Sequence, residues 1–125
     1  MKTKTKTEQA IIDKIEENND TDRIVPIRVD LVDICGNLHA GIMLGQLIYW
    51  SERGAPRNDG WIYKSATEWY EETRLTDHRV KNGAKIIKEL GFAQIENRVA
   101  EGHSTRWFLL NVEKVLTELD NLYAR

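Results

Sequence analysis

A chain of 125 residues, 41% of them hydrophobic, is long enough for one domain with its own core and too apolar to be disordered. The formal net charge of −2 excludes a uniformly basic nucleic-acid coat, and the single cysteine, Cys35, excludes an intramolecular disulfide. No apolar run reaches the length of a membrane span and no apolar signal core follows the N-terminus, so the expectation is a cytoplasmic protein without membrane contact.

Residues 1–22 read as a basic tail and a short helix. The tail alternates Lys and Thr, with Lys2, Lys4 and Lys6 as its charges. Thr7 is the expected cap of a helix running to about Asn18, with Ala10, Ile11 and Ile15 on one side. The polar run 18–22 then predicts a loop. Residues 23–29 alternate apolar and polar around Pro26, which predicts a short edge strand. Asp30 is placed to cap one helical turn over 31–34, where Cys35 joins Val32 and Ile34 as a small core residue.

Gly36 and Asn37 break the chain before a stronger helix, expected over 38–53. Ala40, Leu44, Leu47, Ile48 and Ser51 share one face of it, while Ile42 and Tyr49 share the opposite one. A helix apolar on both sides is expected to be buried centrally or to meet a second subunit. Residues 54–60 form a polar loop, and Trp61-Ile62-Tyr63 predicts a strand. Ser65-Ala66-Thr67-Glu68 is a capping box that starts a helix ending near Thr73. Thr76 is the expected cap of the next helix, 77–90, and Gly91 stands where a left-handed residue ends it. Strands are expected over 92–97 and 105–110, joined by a hairpin tip at 98–104. Asn111 is the expected cap of a last helix, with Val115, Leu116 and Leu119 on one side. Four tryptophans, Trp50, Trp61, Trp69 and Trp107, mark this half of the chain as the expected core.

The order of helix, strand, helix, tight turn, helix and hairpin predicts an α+β, mostly helical fold: a winged helix-turn-helix over 23–111, flanked by the N-terminal helix and by a C-terminal helix over 112–125. Three segments carry a resemblance: His39 through Trp50, Gly60-Trp61-Ile62-Tyr63-Lys64-Ser65 with Glu68-Trp69, and Leu75-Thr76 with Val80, Lys85 and Leu90-Gly91-Phe92. Together, across about 30–111, they resemble the N-terminal winged-helix domain of phage and plasmid replication-initiation proteins. The resemblance implies a domain that binds origin DNA or helps to load replication proteins. Two departures separate the chain from that pattern. It stops one helix after the hairpin, and its recognition helix carries fewer Arg and Lys.

In a helix-turn-helix the second helix enters the major groove. At 100° per residue, Val80, Ala84, Ile87 and Leu90 take the inner face of helix 77–90, with Gly83 allowing close packing. The outer face then carries His78, Lys81, Asn82 and Lys85, with Arg79 on its flank. Asn pairs with adenine and Lys or Arg with guanine or phosphate. Asn82 and Arg79 are therefore the expected base readers, and Lys81 and Lys85 the expected phosphate contacts. The hairpin adds Arg98, His103 and Arg106. Between Arg74 and Trp107 seven basic side chains face four acidic ones, which leaves the rest of the chain at −5.

No enzyme is expected. The three histidines are scattered without metal-ligand spacing, Glu68, Glu71 and Glu72 read as a solvated helix face, and Gly41 and Gly45 read as helix packing, so no cofactor and no metal is anticipated. Two readings stay open. One is sequence-specific binding of double-stranded DNA in phage or plasmid replication or transcription regulation, as a homodimer. The other is a winged-helix adaptor or inhibitor of a replication or host protein, which the net charge and the Glu68-Glu71-Glu72 cluster favour.

Overall fold

The computed structural model describes residues 3–19, 23–53 and 59–125. Lys2, residues 20–22 of the first predicted loop and 54–58 of the second lie outside the described residues. The elements in chain order are α1 (Lys6–Glu17), α2 (Val29–Cys35), α3 (Leu38–Trp50), β1 (Trp61–Lys64), α4 (Ala66–Thr73), α5 (Asp77–Glu89), β2 (Ala93–Ala100), β3 (His103–Leu110) and α6 (Val112–Tyr123). The fold is α+β and mostly helical, with one antiparallel sheet in the order β1-β3-β2.

Local chemistry explains most of the boundaries. Ser65 accepts from the Glu68 amide while the Glu68 carboxylate takes the Ser65 amide, the reciprocal box that starts α4. Asn37 and Asn111 cap α3 and α6 through their side-chain oxygens. Gly91 sits at φ 79° just past α5. At α1 the cap is Thr5 and not Thr7, because only Thr5 has a glutamate three residues on: Glu8 completes a capping box with it. Thr76 occupies the cap position of α5, yet its hydroxyl makes no capping bond.

The core is one cluster. Ala40, Met43, Leu44 and Leu47 of α3 meet Val80, Ala84 and Ile87 of α5, Trp69 of α4, Phe92, and Ile62 and Phe108 of the sheet. Close approach of α3 and α5 depends on Gly83: a Cβ there would stand 2.5 Å from the Met43 sulfur. Cys35 is buried, as expected, and burial raises its thiol to about 11. The α6 helix lies against α2, and the Tyr123 hydroxyl donates to Asp30 Oδ2 at 2.5 Å. That bond holds the Tyr123 hydroxyl above its ordinary pKa. No single helix among the described residues is long and apolar enough to cross a membrane.

Four further expectations about the fold need correction. Residues 23–28 form no strand: Ile24 and Ile27 are exposed, and with no strand among the described residues alongside, the alternation has nothing to hold it. Val29 belongs instead to α2, a seven-residue helix and not a single turn, whose cap is Arg28 and not Asp30. Helix α3 ends at Trp50 and not at 53, and its Ile48 and Tyr49 are exposed, so the single chain does not enclose it and only the expected meeting with a second subunit stays open. Only Trp69 of the four tryptophans is fully buried; Trp50, Trp61 and Trp107 are partly exposed.

Candidate nucleic-acid interface

Helix α5 separates its residues by face. Val80, Gly83, Ala84 and Ile87 are buried, and His78, Arg79, Lys81, Asn82 and Lys85 are all exposed, together with Lys88. Leu90, expected inside, is 38% exposed, because the helix has already ended there. Of the outward cations, Lys81 makes an exposed pair with Asp77 at 3.5 Å, one turn back. A solvated pair of this kind contributes little to stability, so Lys81 is available to another anion.

The hairpin is tighter than its polar sequence suggests. The strands run to Ala100 and from His103, and the turn is only Glu101-Gly102, at φ 53° and 81°. Positive φ at both positions is the geometry that matches the twist of the flanking strands, and glycine takes the second without strain. Arg98 and His103 therefore lie within paired strands and not in a loop.

This pairing divides the three hairpin cations. Successive side chains of a strand alternate between faces. Arg106 lies opposite Asn97 and Lys64, on the face shared with Ile62 and Phe108. Arg98 lies on the other face: its guanidinium is 4.2 Å from the centre of the Trp61 ring and 5.3 Å from that of Trp107, and its Nε donates to Glu96 at 2.8 Å. Tyr63 and Trp107 stack beside it at 4.5 Å. By the same alternation His103, opposite Ala100, falls on the face of Arg98, so of the three only Arg106 shares the face that the helices cover, and His103 reaches the helix side only at the hairpin end.

Arg106 and His103 line a cleft of about 540 Å³ between the hairpin, the start of α4 and Asp77 at the start of α5. Asn97 and Ser104 add neutral hydrogen-bonding groups. The Ser65 hydroxyl and Glu68 carboxylate at its border are already engaged in the α4 cap. Glu101 stands at the same cleft and opposes the basic groups there.

One polar cluster escaped the sequence reading. Glu72 is not on a solvated face. Its Oε1 accepts from Gln46 Nε2 and Trp50 Nε1, both at 3.0 Å, and its Oε2 pairs with Lys64 Nζ at 2.5 Å. Lys64 is only 5% exposed and its ammonium also lies 4.5 Å from the Trp50 ring centre. The cluster ties α3, β1 and α4 together. The signal was present: Lys64 shares strand parity with Ile62, so it had to face inward and needed a carboxylate there.

No family model, no curated protein and no solved structure matches the chain.

Proposed function

We propose that residues 38–110 form a winged helix-turn-helix, with α4 and α5 as the helix pair and the β2–β3 hairpin as the wing, and that the protein binds double-stranded DNA with α5 in the major groove. The strand order β1-β3-β2 and the helices between β1 and β2 support the fold reading. The observation that carries the function is α5 itself: one face is sealed into the core while the other presents His78, Arg79, Lys81, Asn82 and Lys85 together. Asn82 and Arg79 read bases, and Lys81 and Lys85 hold phosphates. Arg106 and His103 approach the backbone from the wing. Arg98 belongs to the far face of the sheet and contributes least. The protein acts as a binder and not an enzyme, and the resemblance of its sequence to replication-initiation domains points to replication or transcription control in a phage or plasmid.

Fluorescence anisotropy with random duplex DNA at two salt concentrations tests this. Affinity falling steeply with salt is expected, and Lys81→Ala should reduce the salt slope by about 1 for all sequences. Asn82→Ala should instead relax base preference. No binding at low salt overturns the reading.

A second reading, docking onto a replication or host protein, draws on exposed apolar side chains outside the α5 face. Ile11 and Ile15 of α1 and Val112, Leu116 and Tyr123 of α6 are all more than half exposed.

A further inference from the structure

Strand β2 is an edge: β3 pairs with one side of it, and no strand among the described residues pairs with the other. The hairpin geometry tells which backbone groups face that open side. In a two-residue turn the closing residues, here Ala100 and His103, exchange both N–H···O bonds, and the exchange recurs at every second pair. Ala100, Arg98, Glu96 and Gln94 therefore turn their backbone groups toward β3. Ile95, Asn97 and Val99 turn theirs outward.

The side chains of this strand match themselves in reverse order about Asn97. Ile95 mirrors Val99 and Glu96 mirrors Arg98. We propose that β2 pairs antiparallel with β2 of a second copy of this chain, with Asn97 facing Asn97 on the two-fold axis. In that register the outward backbone groups of Ile95, Asn97 and Val99 all find partners across the axis. Glu96 of each copy lies opposite Arg98 of the other on one face. Ile95 lies opposite Val99 on the other face and covers it; in the single chain Val99 is 72% exposed.

Charge selects this register. Moving the axis to Glu96 sets carboxylate against carboxylate, and moving it to Arg98 sets guanidinium against guanidinium, both destabilising directly across a ladder. Charged side chains ordinarily keep an edge strand from pairing. Here their order rejects the neighbouring registers and admits one. Within one chain Arg98 already reaches its own Glu96 at 2.7 Å, so in the pair each carboxylate lies between two guanidinium groups. An interface of one short strand per copy falls below the ~1,200 Å² of standard complexes, so the pairing depends on concentration in the micromolar range. The inference stands apart from the DNA reading, which rests on α5.

Sedimentation of the full chain across micromolar concentrations tests it, with far-UV circular dichroism to establish that each variant is folded. The wild-type mass should approach twice the 14.5 kDa of one chain. Glu96→Arg alone and Arg98→Glu alone should each remain at the single-chain mass. An equimolar mixture of the two should dimerise, since every opposed pair is then complementary again, and the double variant E96R/R98E should dimerise by itself. Val99→Pro, which removes an edge N–H that β3 does not use, should remain single. A wild-type mass of one chain throughout overturns the proposal. So does dimerisation of both single variants, which would place the contact elsewhere, or a mixture that stays monomeric.

Discussion

The two faces of the sheet are built from similar residues and do different things. On the inner face Ile62, Ala93 and Phe108 lie under α3 and α5, and all three are buried. On the outer face Trp61, Tyr63 and Trp107 are larger and more aromatic, yet partly exposed; the Arg98 side chain lies over Trp61 and Trp107, and Tyr63 stacks on Trp107. Aromatic content therefore does not place a core. The face that the helices cover is the core, and the other becomes a partly wetted surface in which ring stacking and cation contacts replace burial.

Substitutions can break or sharpen that contrast. The largest effect is expected at Phe108, whose ring meets Trp69 edge-on: Phe108→Ala should cost about 3–5 kcal/mol in urea unfolding. Glu72→Ala should approach it, about 3–5 kcal/mol, because it leaves the Lys64 ammonium buried without a counter-charge. Replacing Lys64 by Met together with Glu72 by Leu should recover much of that loss if desolvation is its cause. Trp107→Ala, on the outer face, should cost only about 1–2 kcal/mol. A loss equal to that of Phe108→Ala would erase the distinction between the faces.

Cys35 supplies a probe of the dry interior away from the sheet. The unfolded thiol ionises near its ordinary 9.0, whereas the folded one keeps its proton to about 11. Unfolding between those values releases a proton. This contribution is fully present below pH 9 and declines as pH rises, by at most ~1.4 kcal/mol per pH unit. Cys35→Ala should flatten that part of the stability profile. The smallest effect on folding belongs to α5: Lys85→Ala should change stability by less than ~0.5 kcal/mol while weakening any DNA complex.

Where a single side chain sets the backbone, its sequence is readable. Ser65 with Glu68, Asn37, Asn111 and Gly91 each mark a boundary that the structure keeps. The α5 pattern is also readable, because Val80, Ala84 and Ile87 repeat at helical spacing within one element. What stayed hidden depends on partners distant in sequence. Alternation over 23–29 looks the same whether or not a strand lies alongside. Residues 98–100 read as part of the hairpin tip because their pairing with 103–105 is visible only once Glu101-Gly102 is recognised as the whole turn. Glu72 read as solvated because Gln46, Trp50 and Lys64 approach it from two other elements. For the candidate interface, the α5 residues were legible as a group, whereas Arg98 and Arg106 were separated by strand parity, which depends on where the turn falls.

The central place of β3 has a consequence for how the chain is made. Trp61–Lys64 finds its sheet partner only in Arg106–Leu109, roughly forty-five residues later. During synthesis α3 and β1 leave the ribosome well before that partner exists, and β2 emerges after α4 and α5 with both of its edges unpaired. The helices can form as they appear, but the sheet closes only when the last strand arrives. A chain interrupted before His103 would present three tryptophans and two unpaired strands with no sheet to receive them.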